Sequence, residues 1–337
     1  MKTSGSAPPS PFIWRRLHSL MGLWIVLFLI EHLLLNSQAA LLFGENGSGF
    51  VEGVNSIKAL PYLPAIEIFL LGVPFLIHGV WGIKYLLTGK FNSFGNSGST
   101  PYLPEYARNL AYTWQRITSW VLVVGIVAHV IHMRFIEYPE QSQKGKEHYY
   151  FVRLNLDDGL YTVAARLGAK LYNQQQIQLL KGFPDLSKEP ISTGSWHHFL
   201  RGIFQKKMHP APSLSDGEKL VQEQEKAQSE MWLKSLRKRP LGQGQVIAVT
   251  QDFGTAELLM VRDTFKMPIM IALYSLLVLA ACFHGFNGLW TFLITWGVTL
   301  TQASQRVMLK ISTGLMVLIA FLGLAAIWGT YWINLKQ

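Results

Sequence analysis

Four histidines lie in four separate apolar segments, and they are the side chains most able to do chemistry: His32, His78, His129 and His284. An imidazole inside hydrocarbon is costly unless it has a partner or a function. Four imidazoles on four helices can supply two bis-histidine ligand pairs, and haem is the usual cofactor of such a pair inside a membrane bundle. The four residues therefore predict two haem sites, with these histidines as axial ligands of the iron.

The segments that carry the histidines are each near the ~20 apolar residues needed to cross a bilayer. Their predicted limits, together with a fifth segment, are Leu20–Phe43, Leu63–Leu87, Ile117–Ile136, Met267–Trp296 and Val307–Ile333. Half of the 337 residues are hydrophobic and only 15% are charged, whereas a soluble domain carries about a quarter. We therefore expect an all-α membrane protein with five transmembrane helices in a haem-binding bundle.

Cysteine content and charge exclude several classes of protein. The only cysteine is Cys282, which excludes a disulfide framework, a multi-cysteine iron–sulfur site and covalent haem attachment. The net charge of +10 resembles that of a nucleic-acid binder, but much of it lies beside the apolar segments. We therefore expect membrane lipid around the protein and no nucleic-acid partner.

The short connections predict the orientation, because Lys and Arg are enriched on the cytoplasmic side. Basic residues precede the first segment and lie between the second and third and between the fourth and fifth. They include Arg15, Arg16, Lys90, Arg108, Arg306 and Lys310. We expect a multi-pass protein of the bacterial cytoplasmic membrane, with its N-terminus inside and its C-terminus outside.

The connection between the third and fourth segments is an insert of roughly 130 residues, too long for a structureless loop. It contains a helical pattern over Leu220–Leu236 and a strand-like run over Gln245–Thr250. We expect an extracytoplasmic accessory domain here. The predicted organisation is a disordered cytoplasmic tail (1–14), helices 1–3 (15–137), the insert (138–266) and helices 4–5 (267–337).

Two histidines fall in the outer half of the membrane when a rise of ~1.5 Å per residue is applied. His32 lies 16 residues past Arg16, or ~24 Å from the inner end. His129 lies 13 residues past Arg116, or ~20 Å. His132 shares a helical face with His129, and this arithmetic does not separate the two as partners of His32.

The other two histidines fall in the inner half. His78 lies six residues before Lys84, or ~9 Å from the inner end of the second segment. His284 lies 18 residues past Lys266, or ~27 Å into a segment that runs inward. His78 and His284 would therefore form an inner haem site. Cationic side chains at the inner ends of the first and third segments, Arg15, Arg16, His18 and Arg116, could bind its propionates or act only as topology determinants.

Several sequence stretches together resemble the five-helix, di-haem cytochrome b subunit of bacterial succinate dehydrogenase and fumarate reductase (succinate:quinone oxidoreductase). The matching stretches are Arg15–Leu20 (RRLHSL), Glu31–Leu33 (EHL), Glu67–Phe69 (EIF), His78–Gly82 (HGVWG), Gln115–Thr118 (QRIT) followed by His129, and His284–Trp290 (HGFNGLW) followed by Thr295–Gly297 (TWG). They cover all five segments. The departure is the insert, which is much shorter in the family.

The resemblance implies further properties. It selects His129 over His132 and pairs His32 with His129 at an outer haem b and His78 with His284 at an inner haem b. It also implies a flavoprotein subunit and an iron–sulfur subunit on the cytoplasmic face, with succinate oxidised on the flavoprotein. Quinone, often menaquinone in the family, would react near the outer haem, where Glu67 is the candidate for proton exchange; its alternative role is that of a polar helix-end residue.

Two other functions are compatible with the same histidines. A cytochrome b subunit of another quinone-linked complex, such as nitrate reductase or hydrogenase, would hold the same haems with different soluble partners. A transporter could use the histidines as a proton relay, in which case the protein would bind no haem.

Overall fold

The computed structural model of the chain describes residues 9–41, 45–89, 93, 105–180, 216–238 and 240–337. Lys90, one of the basic residues used to predict orientation, lies outside them. In chain order the helices and strands are α1 (Ser10–Ser37), α2 (Ser48–Lys58), α3 (Leu63–Thr88), α4 (Ala107–Ile136), β1 (Glu140–Lys144), β2 (Glu147–Asn155), α5 (Leu160–Arg166), β3 (Lys170–Tyr172), α6 (Gln174–Leu179), α7 (Asp216–Arg237), β4 (Gln245–Thr250), α8 (Phe253–Phe265), α9 (Pro268–Thr295) and α10 (Gln302–Asn334).

The described residues divide into two compact units. The membrane unit comprises the segments up to Ile136 and Thr264–Asn334, and the insert unit comprises Glu137–Asp263 and Leu335–Gln337. Five helices of the described chain, α1, α3, α4, α9 and α10, are long and apolar enough to cross a membrane. The expectation of a five-helix membrane protein with a large insert after the third helix is confirmed.

Three transmembrane helices, α1, α4 and α10, begin five to ten residues before the limits that hydropathy predicted, whereas α3 and α9 match theirs to within one residue at each end. α1 begins at Ser10 and ends at Ser37, instead of running from Leu20 to Phe43. A proline in its first turn is compatible with this start, because the first N–H groups of a helix need no intrahelical partner. The tail predicted to be disordered through residue 14 is therefore helical from Ser10. Hydropathy marks the part of a helix that lies in hydrocarbon, whereas the backbone continues as helix into the polar interface.

Small residues allow the membrane helices to approach closely. α1 packs against α3, α9 and α10, and α9 packs against α4 and α10. A Cβ atom at Gly125 of α4 would lie 2.7 Å from Cδ1 of Leu277 on α9, and one at Gly323 of α10 would lie 2.7 Å from Cγ1 of Val278. Larger side chains at these glycines would separate the helices that carry the histidines.

Three of the described membrane helices contain wider, π-helical turns. These turns cover Ile68–Gly72 in α3, Ile131–Ile136 in α4 and Thr330–Asn334 in α10. The turn in α3 is held from α1, because Nε1 of Trp24 donates to the carbonyl oxygen of Leu70 at 2.6 Å. Such turns concentrate at functional sites.

The insert unit is built on a four-stranded antiparallel sheet, in the order β1-β2-β4-β3 among the described strands. One face packs against α7, where Trp232 and Leu236 are fully buried. Residues of the opposite face are buried too, and Tyr150 of β2 contacts Phe253 of α8 with ring centres 5.3 Å apart. Because β4 is covered on both faces, it appears in the sequence as a continuous apolar run, and its predicted limits are confirmed.

A buried arginine joins three parts of the insert unit. The guanidinium of Arg262 donates to both carboxylate oxygens of Asp157 at 2.7 Å and to the carbonyl oxygen of Leu335 at 2.6 Å. Its side chain is only 1% exposed. The last residues of the chain, predicted to belong with helices 4–5, therefore belong to the insert unit.

Candidate functional site

The histidines of the outer and inner halves come together in two pairs. His32 of α1 and His129 of α4 have ring centres 6.1 Å apart, with their planes at 74°. His78 of α3 and His284 of α9 have ring centres 6.1 Å apart, with their planes at 83°. In each pair the two ring planes are steeply inclined to one another and are not stacked.

Both pairs have the separation of two imidazoles bound to one metal ion. A bond from a metal ion to an imidazole nitrogen is about 2 Å, and a ring nitrogen lies roughly 1.1 Å from its ring centre, so two such ligands have centres about 6.2 Å apart. The observed 6.1 Å agrees at both sites. The residues present therefore fit the axial ligation of haem iron at each site.

The two pairs lie one above the other in the bundle. The ring of His78 packs against Gly22 of α1, where an added Cβ would lie 2.9 Å from its Cε1 atom. His32 follows Gly22 by ten residues of the same helix, which corresponds to about 15 Å. On α4, His129 likewise follows Ser119, a neighbour of His284, by ten residues. Both helices therefore give the same vertical separation between the sites.

Hydrogen bonds fix the tautomers of the inner histidines. Nδ1 of His78 lies 3.0 Å from the carbonyl oxygen of His18 and must donate to it. Nδ1 of His284 lies 3.3 Å from Oγ of Ser119, which uses its own hydrogen to donate to the carbonyl oxygen of Gln115 at 2.7 Å. Nδ1 of His284 is then the donor to Ser119. In both rings Nε2 is left as the lone-pair atom, the state required of a metal ligand.

The polar contacts around His284 continue into α4 and hold the ring in place. Nε2 of Gln115 donates to the carbonyl oxygen of His284 at 3.1 Å, and Nδ2 of Asn287 donates to Oε1 of Gln115 at 2.7 Å. Gln115 therefore bridges two turns of α9. The position of His284 relative to α4 is determined by hydrogen bonds as well as by apolar packing.

Two side chains near the inner pair, His18 and Arg116, have a buried polar atom without a hydrogen-bond partner. His18 stacks on His78, with ring centres 4.0 Å apart and planes within 10°, and its Nδ1 is buried without a hydrogen-bond partner. Arg116 lies 4.1 Å from the ring centre of Tyr112 and donates weakly to the carbonyl of Tyr85 at 3.5 Å, while its Nε is buried and unpaired. Buried unpaired polar atoms are costly. A propionate carboxylate would satisfy the Nε–H of Arg116, and also Nδ1 of His18 if that nitrogen carries the hydrogen.

Arg16, another of the four candidates for propionate binding, makes contacts with α9 instead. Nη1 of Arg16 donates to the carbonyl oxygen of Thr295, at the end of α9, and its guanidinium lies 5.0 Å from the ring centre of Trp296. These contacts join α1 to the end of α9. The structure thus places His18 and Arg116 beside the inner pair and assigns Arg16 a visible role in helix packing.

One curated protein matches nearly the whole chain. The succinate dehydrogenase cytochrome b558 subunit of Bacillus subtilis (strain 168) is 22% identical over 317 residues, which are 94% of this chain and 95% of that protein. The chain is a homologue of this cytochrome b subunit. The match confirms the resemblance seen in the sequence motifs, and the five apolar helices fit a membrane anchor. No protein-family model and no solved structure matches the chain.

Glu67, the candidate proton-exchange residue of this cytochrome b homologue, is ion-paired. Nη2 of Arg134 on α4 donates to Oε2 of Glu67 on α3 at 2.8 Å. Glu67 precedes the π-helical turn of α3, and Arg134 lies within that of α4. The start of α3 and the end of α4 are both predicted to lie on the extracytoplasmic side. Arg134 follows His129 by five residues, so the ion pair lies at the end of the bundle nearer the His32–His129 pair.

His129 and His132, which spacing alone did not separate, differ in their neighbours. The ring of His129 faces that of His32. Nδ1 of His132 lies 3.2 Å from the hydroxyl oxygen of Tyr274 on α9, and Nδ1 of His129 lies 3.3 Å from the same oxygen. His129 is therefore the histidine of α4 that is paired with His32.

Sequence reasoning missed three residues of these sites: Ser119, Arg134 and Tyr274. Tyr274 precedes His284 by ten residues, or about 15 Å along α9, so depth arithmetic could have placed it at the level of His129. Ser119 and Arg134 gave no such signal, since their importance depends on which helix each one faces. The described residues contain no group of three or more His, Cys, Asp or Glu arranged to hold a metal ion.

Proposed function

We propose that this chain is the membrane-anchor cytochrome b subunit of a succinate:quinone oxidoreductase, holding two haems b through the His32–His129 and His78–His284 pairs. The observation that carries this proposal is the matched separation of 6.1 Å in both pairs. Haem supplies one-electron chemistry when bound. The protein's own residues would supply the axial ligands, fix the tautomers of the inner pair, His78 and His284, and separate the sites by about 15 Å along the bundle.

The proposed partners are those that the family resemblance implies. The relative is a succinate dehydrogenase subunit, and succinate would be oxidised on a separate flavoprotein subunit. That flavoprotein and its iron–sulfur partner would dock on the cytoplasmic face, to which the basic ends of the helices are predicted to belong. His78 and His284 lie nearer that face, so the inner site would exchange electrons with the soluble subunits in the bacterial cytoplasmic membrane.

Quinone would react near the outer site. Glu67 lies near the predicted outer end of α3, and a group that exchanges protons with a quinone must be able to change its protonation state. Arg134 holds this carboxylate in a defined position at 2.8 Å. The proposed quinone site therefore contains Glu67 as the proton-exchanging group, with menaquinone as the expected substrate.

Haem quantitation of the purified complex tests the proposal directly. The expected result is two haems b per chain, both low-spin in the reduced-minus-oxidised spectrum, one for each histidine pair. One haem per chain would contradict the two-site assignment. Absence of haem would favour the proton-relay transporter, and co-purification of other soluble subunits would favour a different quinone-linked complex.

A further inference from the structure

His129 of the outer pair differs from the two inner histidines in the group that its Nδ1 atom contacts. His78 donates to a backbone carbonyl, and His284 donates to a serine whose own hydrogen bond ends on a backbone carbonyl. His129 instead contacts a side-chain hydroxyl, that of Tyr274, which also contacts His132. These contacts of the Tyr274 hydroxyl are with side chains, whereas those behind the inner histidines end on backbone carbonyl oxygens.

The number of hydrogens on each group determines which one donates in the contact between His129 and Tyr274. In a His129 that binds iron through Nε2, Nδ1 carries the hydrogen and donates it to the hydroxyl oxygen of Tyr274. A phenol has a single hydrogen, and the remaining partner is Nδ1 of His132 at 3.2 Å. Two linked hydrogen bonds result: His129 donates to Tyr274, and Tyr274 donates to His132.

Neighbouring aromatic rings position Tyr274 for its contacts with His129 and His132. The ring of Phe265 meets that of Tyr274 edge to face, with centres 5.3 Å apart, and the ring of His129 does so at 5.6 Å. The π-helical turn of α4 begins at Ile131, between the two histidines. Both imidazoles nevertheless reach the same hydroxyl oxygen across this change in helix type.

We infer that Tyr274 and His132 are positioning residues that set the orientation and basicity of His129, and through it the reduction potential of the outer haem. This inference rests on the proposed function. A hydrogen bond from Nδ1 makes an imidazole a more basic ligand, which favours oxidised iron and lowers the potential. Donation from Tyr274 to His132 makes the phenol oxygen a better acceptor, because linked hydrogen bonds polarise one another.

The test is a redox titration of both haems in the purified complex, combined with EPR spectra of the oxidised protein. Tyr274→Phe should raise the midpoint potential of the outer haem and shift its EPR lines, with the inner haem unchanged. His132→Leu should cause a smaller shift in the same direction. His132→Asn should restore the wild-type potential, because its amide oxygen can accept from Tyr274.

Ser119→Ala is the matched control, since it removes the hydroxyl behind His284 and should shift the inner haem alone. Loss of only the outer haem in Tyr274→Phe would also support a positioning role. An outer potential and EPR signal unchanged by Tyr274→Phe, with both haems bound, would overturn this inference while leaving the proposed function intact. Wild-type complex without haem would overturn the proposed function itself.

Discussion

Glu67 and Arg134 are joined across two neighbouring membrane helices by a 2.8 Å ion pair, although they are 67 positions apart in the sequence. Each lies at a π-helical turn of its helix. The pair connects α3 and α4 at the end of the bundle nearer the His32–His129 pair. The side chains of Glu67 and Arg134 are 35% and 44% exposed, so the carboxylate is accessible from outside the bundle.

Replacing Glu67 with Gln should slow quinone turnover by at least about tenfold, because an amide keeps the shape but cannot exchange a proton. Both haems should remain bound, and succinate should still reduce them. Steady-state quinone reduction beside single-turnover haem reduction measures the two steps separately. Arg134→Gln is the companion variant: it leaves the carboxylate titratable and should cost less activity. Unchanged turnover in Glu67→Gln would remove this residue from the quinone site.

Substituting His284 with Leu should eliminate the inner haem and reduce co-purification of the soluble subunits. His32→Leu should eliminate the outer haem with the complex still assembled. The reason is depth, since the inner pair lies closer to the face on which those subunits are proposed to dock. Haem content and subunit stoichiometry of each purified variant provide the measurement. Loss of the outer haem in His284→Leu would show that the depth assignment is wrong.

Labelling of introduced cysteines should place the insert outside the cytoplasm. The single native cysteine, Cys282, is buried, so a maleimide that does not cross membranes should leave the wild-type protein unmodified. Glu223→Cys, on an exposed part of α7, should react in intact spheroplasts. Ala107→Cys, at the exposed start of α4, should react only after the membrane is opened. The reverse pattern would invert the topology and exchange the two haem sites.

Replacing Arg262 with Met should destabilise the insert unit by roughly 3–5 kcal/mol, because removing one member of a buried pair leaves an uncompensated charge. Hydrogen–deuterium exchange of the full-length protein should then accelerate in β2 and α8, with the membrane helices unchanged. Arg153→Gln is the control, as its pair with Glu137 is longer, at 3.4 Å, and partly exposed. It should cost less than about 1 kcal/mol. Equal effects of the two substitutions would contradict a special role for Arg262.

Local sequence patterns predicted much of the fold. The membrane helices follow from apolar length, α7 from its helical pattern and β4 from a short apolar run, because each pattern depends on residues that are neighbours in the chain. The division of the histidines into an outer and an inner set also followed from the sequence, since depth in a membrane helix is proportional to residue number.

Only the tertiary structure decided which side chains meet. The sequence placed His129 and His132 on one face of a helix. That His129 alone of the two is paired with His32, while both contact Tyr274, depends on how α1, α4 and α9 are rotated against one another. The same holds for Arg134 beside Glu67, for Ser119 beside His284 and for Arg262 beneath the last residues of the chain. The depth of a residue can be counted along its own helix. The rotation of a helix about its axis depends on how it packs against all of its neighbours, and the sequence of one segment does not determine that packing.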